Sequence, residues 1–319
     1  MEAATATAPV KVRKPGRDSA ERAERRLAVR MVAPALILIA AVGAYPIVYA
    51  VWLSLHEYSV RQQGLSRWAG ELGLRNYQTA LEDDQFISAF FNTLIFTGFS
   101  VFFELILGLA MAIAMHSAFK GRGLLRTVVL VPWALLTVVT AMTWKAIFEP
   151  NLGFVNSVLS TLGLPGGDTV FLGEKPWAMF VLIVADVWKT APFMALLILA
   201  GLQVIPDDIY EAAKVDGSTP WQRFTKITLP LLKPAILVAL IFRTLDALRI
   251  FDLPFVLTQG ANGTNTLSLQ AYEELRENRL IGLGSAMSIM TFVVVMLVSF
   301  LYIRFVGGNI KALTDEGKA

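Results

Sequence analysis

Apolar residues fall in six long runs, at roughly Met31–Leu55, Ser88–Met115, Leu124–Phe148, Pro176–Gly201, Leu229–Asp252 and Gly284–Phe305. Each exceeds the roughly 20 residues a helix needs to cross a bilayer. In hydrocarbon every backbone amide must be satisfied within the segment, so each run predicts a helix. The first run is longer than the core of a secretory signal and has no small-residue cleavage site, which makes it a retained span. Six spans predict an all-α membrane protein with both termini on one side.

The interval Ile205–Leu232 has a different pattern. Pro206, Asp207 and Asp208 read as a first helical turn, with acids at the positive end of the helix dipole. Ile209, Ala212 and Ala213 follow at helical spacing with Glu211 beside them, and Gly217 closes the helix. Ser218 reads as the cap and Pro220 as an early residue of a second short helix, with Trp221, Phe224 and Ile227 or Thr228 along one side. The pattern is a helix, a glycine corner and a helix at a membrane surface. It fits either an amphipathic segment resting on lipid or a docking surface. Small residues around one carboxylate, on an acidic face unsuited to anionic lipid, favour docking.

Composition adds three constraints. The 319 residues are 55% hydrophobic and 17% charged, too apolar for a soluble domain. There is no cysteine, so neither disulfides nor thiolate metal sites arise. The net charge of +3 comes largely from residues 1–30, where Lys11, Arg13, Lys14, Arg17, Arg22, Arg25, Arg26 and Arg30 flank the first span. This position argues for membrane topology and against nucleic-acid binding. The first ten residues have the composition of a disordered segment, and Arg17 to Arg30 that of a basic surface helix. Lys120, Arg122, Arg126, Lys214, Arg223, Lys226, Lys233, Arg304, Lys311 and Lys318 fall on the side of the N-terminus. The opposite loops carry Glu82, Asp83, Asp84, Glu149, Asp168, Glu174, Glu273, Glu274 and Glu277. The positive-inside rule then places both termini and the Ile205–Leu232 interval in the cytoplasm.

No G-x-x-x-x-G-K-[ST] motif, dinucleotide-type glycine motif or H-E-x-x-H occurs, and His56 and His116 are the only histidines. The chain has no ATP site and no evident nucleophile. Charges inside the spans carry the remaining signal, because each costs roughly 2.5–3.5 kcal/mol at mid-bilayer on insertion scales. Asp186 and Lys189 lie one turn apart. Arg243, Asp246, Arg249 and Asp252 alternate in sign every third residue, a spacing that permits pairing along one helix. Such a ladder either neutralises itself for insertion or lines a polar path. Glu104 is alone in its span and would need a neighbouring helix.

Several segments resemble a known family. Glu211-Ala212-Ala213, Gly217, Ile227 and Leu229-Pro230 resemble the cytoplasmic EAA loop of binding-protein-dependent ABC importer permeases. ADVWKTAPF from Ala185, FRTLDALRIFD from Phe242, FVLTQG from Phe255 and LVPWALLTVVTAMTWKAIF from Leu130 resemble sugar permeases of the maltose type. The run of matches is most similar to the first permease subunit of trehalose-type importers. Ser218 replaces a common alanine, Ala261-Asn262 replace a frequent Gly-Pro, and two extra N-terminal spans of the maltose-type subunit have no counterpart.

The resemblance implies a type I ABC importer permease in the bacterial plasma (inner) membrane, with a cytoplasmic coupling helix. Its expected organisation is a basic segment 1–30, a six-span domain 31–306 containing a coupling loop 202–228, and a tail 307–319. Implied partners are a second permease in a heterodimer, two ATPase subunits holding ATP and Mg, an extracytoplasmic sugar-binding protein or lipoprotein, membrane lipid and a sugar such as trehalose or maltose. Glu211, Ala212, Ala213, Asp216 and Gly217 would meet an ATPase. The implied sugar path takes in Trp133, Thr137, Asp186, Lys189, Thr190, Phe193, Arg243, Ala247 and Ile250, and the charge pattern adds Asp246 and Arg249. Alternatives are an ion-coupled secondary carrier, which often shows an inverted repeat, or a membrane scaffold docking a cytosolic protein.

Overall fold

The computed structural model describes residues 17–58, 72–117 and 120–315, which are helical apart from turns and an isolated bridge between His56 and Leu72. The first ten residues and the last four lie outside the described residues. The chain divides into two units, up to Trp52 and from Leu53 onward.

In the first unit, α1 (Arg17–Ser54) is a single helix that carries the basic stretch and the first apolar run without a break. The sequence reading had separated them. Tyr45, Tyr49 and Trp52 stack in succession near its end, with centroids 6.1 Å apart at each step. Such aromatic steps suit the boundary between hydrocarbon and water.

The second unit comprises α2 (Arg75–Glu82), α3 (Asp84–His116), α4 (Arg122–Ala134), α5 (Thr137–Ile147), α6 (Phe154–Thr161), α7 (Trp177–Leu202), α8 (Asp207–Val215), α9 (Pro220–Arg223), α10 (Leu229–Ala247), α11 (Asp252–Leu257), α12 (Leu267–Tyr272) and α13 (Ile281–Asp315). Helix α7 is central, with 67% of its apolar window buried, against 33% in α3 and 22% in the segment containing α10. Its partner α3 approaches closely at Gly108, where an added Cβ would lie 2.7 Å from Met194 Cγ and 2.9 Å from Met194 Cβ. With no hydrophobic drive between helices in lipid, such small-residue contacts let backbones pack. Phe96, Met115, Leu182, Met194, Ile198 and Leu232 complete the shared core.

Two elements depart from the predicted spans. Among the described residues, five helical segments are long and apolar enough to cross by themselves; the third predicted run is instead α4 and α5, bent by 90°. Pro132 removes a backbone donor in the last turn of α4, and Leu135 and Leu136 are extended, with ψ of 144° and 135°. The fifth run also differs. A continuous helix begins at Pro220 in the polar loop, passes through a π-turn at Phe224–Thr228 and ends at Ala247, so Arg249 and Asp252 lie beyond it.

Candidate functional site

Arg243, near the end of α10, is 1% exposed and makes four contacts to three carboxylates. Its Nε donates to Glu104 Oε2 of α3 at 2.5 Å and its Nη2 to Glu104 Oε1 at 2.8 Å, a bidentate fork. Nη2 also reaches Asp186 Oδ2 of α7 at 2.5 Å, and Nη1 reaches Asp246 Oδ2 at 2.6 Å. Thr190 Oγ1 lies 2.7 Å from Glu104 Oε1 and 2.6 Å from the Asp186 carbonyl. Glu104 and Asp186 are as buried as the arginine, whereas the Asp246 side chain is 70% exposed. One guanidinium thus ties three central spans together and presents a single acid outward.

This arrangement corrects the predicted ladder. Only Arg243 and Asp246 pair along the helix; Arg249 Nε donates to the Leu245 carbonyl, and Asp252 begins a new helix. Asp186 takes Arg243 rather than Lys189. Glu104, which needed a neighbouring helix, has one. Asp186 and Arg243 are therefore buried and paired with each other in this conformation. Ala247, carried over from the family's sugar site, is 0% exposed in the core.

Other predicted path residues are accessible. Trp133, at the end of α4, stacks on Phe193 of α7 with centroids 5.7 Å apart and an interplanar angle of 15°, and it stays 44% exposed. Thr137 opens α5 just past the bend. Thr137, Lys189, Thr190 and Phe193 are half-buried, and Arg249 is exposed. The sequence reading missed a polar cavity of about 380 Å³ lined by Asp84, Ser88, Lys175, Gln259 and Glu273. Gln259 and Asn262 flank it with φ of 54° and 56°, where side chains are rarely tolerated. The Gly/Asn-rich composition after Thr258 was the available signal. Beside it, burial pushes the Glu273 carboxyl above its ordinary range, with Glu277 and Glu274 adding to the rise.

The polar loop forms the predicted helix–corner–helix. Helix α8 carries Asp207 and Asp208 in its first turn, and Gly217 follows its end with φ +74°. The cap of α9 is Thr219, not Ser218: Thr219 Oγ1 accepts from the Gln222 amide while Gln222 Oε1 accepts from the Thr219 amide. Ser218 Oγ instead donates to the Ala213 carbonyl at 2.5 Å, closing α8 from behind. Glu211, Ala212 and Asp216 are exposed, and Ala213 is buried against the body. Tyr210 and Thr228 hydroxyls meet at 3.1 Å, fastening α8 to the base of α10. One continuous helix, Pro220–Ala247, then joins this exposed loop to the Arg243 cluster.

A multi-span helical body with a buried ionic node and an exposed helix–glycine–helix segment is the form of a membrane transport subunit. The chain belongs to the family of binding-protein-dependent transport system inner membrane components, whose model matches residues 104–307. It is 43% identical over 302 residues to the trehalose transport system permease protein SugA of Mycobacterium tuberculosis, covering 95% of each chain. It is 43% identical over 283 residues to the trehalose/maltose transport system permease protein MalF of Thermococcus litoralis, covering 88% of this chain and 94% of that one. Among solved structures, a chain of the bacterial alginate ABC transporter in complex with an alginate pentasaccharide-bound periplasmic protein matches with a TM-score of 0.76 and 25% identity. That match covers 89% of this chain and 95% of the other. The expected permease class and all-α membrane fold therefore hold.

Proposed function

We propose that this chain is one of two permease subunits of an ATP-driven sugar importer and that its substrate is a disaccharide of the trehalose or maltose kind. The observation that carries the mechanism is the single helix running from the exposed loop to Arg243. A push on the loop reaches the node holding α3, α7 and α10 along one helix, through the π-turn at Phe224–Thr228. In this reading the coupling loop 202–228 faces the cytoplasm and seats Glu211, Ala212, Ala213, Asp216 and Gly217 on one of two ATPase subunits, which bind and hydrolyse ATP with Mg. A sugar-binding protein outside delivers the substrate. The α4–α5 pair counts as one span, giving six, with both termini cytoplasmic.

The sugar face of this reading is Trp133 on Phe193, with Lys189, Thr190, Asp246 and Arg249 as polar contributors. Flat aromatic faces suit sugar rings, and charged or hydroxyl groups take their hydroxyls. Support for the sugar class comes from near full-length likeness to two permeases named for trehalose.

The test is reconstitution of this subunit with its partner permease, ATPases and binding protein in vesicles, followed by uptake and ATP hydrolysis across a sugar panel. Hydrolysis stimulated by a loaded binding protein, with matching uptake of a disaccharide, is expected. Uptake driven by an ion gradient without ATPase subunits would establish the carrier alternative instead.

A further inference from the structure

A second cavity, of about 510 Å³, lies behind the loop. Its walls come from two sources. Lys214 of α8, Pro220 and Arg223 belong to the loop; Ile113 and His116 end α3, and Leu202 ends α7. The cavity thus sits where α3 and α7 terminate, between them and the loop. The volume falls within the roughly 300–1,000 Å³ of small-molecule sites.

The lining is graded. Ile113, Leu202 and Phe224 form an apolar side continuous with the spans, while Lys214, Arg223 and His116 form a cationic side. Asp207 is the one carboxylate on the wall among the described residues, so fixed cations outnumber it even with a neutral histidine. Arg223 is held in place: its Nη1 donates to the Ser218 carbonyl at 2.8 Å. Its remaining N–H groups take no partner among the described residues. The Tyr210–Thr228 hydroxyl contact fixes another part of the wall.

We propose that this cavity binds the phosphate head of an anionic phospholipid, which bridges the coupling loop to the ends of the spans. A phosphodiester offers anionic oxygens to a fixed guanidinium and an ammonium. Its glycerol and first acyl carbons match the apolar side, which a free phosphate would leave unused. Basic pockets between helices at a cytoplasmic face are the places where anionic headgroups gather. Because the walls belong to both loop and spans, the bound head stiffens the joint through which the loop moves α10. The proposal rests on the cytoplasmic placement of the loop in the importer reading.

The experiment uses the assembled complex, extracted from membranes containing phosphatidylglycerol and examined by native mass spectrometry. Retained phosphatidylglycerol is expected on the parent. It should fall about fivefold in Lys214→Gln, the effect of one basic residue near an anionic surface. Lys226→Gln, an exposed cation on the same segment outside the cavity, should retain parental levels, as should Lys214→Arg. Equal retention in Lys214→Gln and Lys226→Gln overturns the proposal. So does full displacement of the lipid by glycerol 3-phosphate, which would make the ligand a soluble phosphate ester. Should Lys214→Gln fail to assemble, the parent decides alone: phosphatidylglycerol must leave at high salt while neutral lipid stays. Coupled hydrolysis in phosphatidylcholine vesicles, with and without phosphatidylglycerol, is measured in parallel. Absent hydrolysis in both counts against the importer reading, whereas hydrolysis with no bound lipid counts against this site alone.

Discussion

At the residue scale, Arg243 decides most. It is the counter-ion of two fully buried carboxylates on other helices, so its removal strands both. Breaking one partner of a buried pair costs about 3–5 kcal/mol, far more than exchanging the whole set for apolar residues. Arg243→Met should therefore abolish stable protein, and adding Glu104→Gln should recover part of the loss. Thermal unfolding of the purified variants checks this, and independent losses at the two positions would argue against the pairing. The same geometry moves the expected effect of Asp186→Asn from sugar preference to stability. Trp133→Ala is the cleaner path variant, since the ring is exposed and stacked. It should lower sugar uptake with the complex assembled, and parental rates for every sugar would leave the ring a packing residue.

Glu273 gives a pH prediction at the same scale. Its folded carboxyl is raised above 4.5 by burial and by two neighbouring acids. A group raised in the folded state holds its proton longer there than in the unfolded chain, so stability falls as pH rises through that window. Glu273→Gln should raise the unfolding temperature at neutral pH and leave it unchanged in acid well below 4.5. A uniform shift at all pH values would exclude ionisation as the cause.

At the scale of elements, the loop and the helix leaving it form one lever. Gly217 sits at φ +74° with nothing within 4 Å of an added Cβ, so crowding plays no part and backbone strain alone penalises substitution. That strain is about 1–2 kcal/mol for an ordinary residue and least for asparagine. Gly217→Val should uncouple ATP hydrolysis from uptake, Gly217→Asn should retain most coupling, and Glu211→Ala should fall between. None of these touches the Trp133–Phe193 face, so sugar preference should survive in the remaining transport. Hydrolysis and uptake in the same vesicles measure it; coupled turnover at the parental rate in Gly217→Val would remove this loop from the transmission path.

For the whole molecule, orientation follows from the charge distribution and is directly testable. The chain has no native cysteine, so single cysteines report cleanly. A cysteine at Asn262 should react with an impermeant reagent in intact cells, and one at Gly217 only after permeabilisation. The reverse result would put the loop outside and end the ATP-coupled reading. Helix α1 forms a separate unit and takes the basic stretch and the first apolar run in one rod.

Much of this was legible in the order of residues alone. Long apolar runs force helices because a bilayer satisfies no backbone amide, and the acids, glycine and prolines of 205–232 mark the loop by local rules of capping and φ. The need of Glu104 for a partner was also visible, since a lone acid in an apolar span is costly. Which residue would answer was not. Spacing along one helix nominates i,i+3 neighbours, whereas Arg243 reached across 139 positions to Glu104 and 57 to Asp186. That choice depends on which helices lie side by side, and Gly108 against Met194 sets it for α3 and α7. The 90° bend after Pro132 and the stacking of Trp133 on Phe193 belong to the same category. Local sequence states what each segment needs from its surroundings; only packing brings the distant group that meets the need.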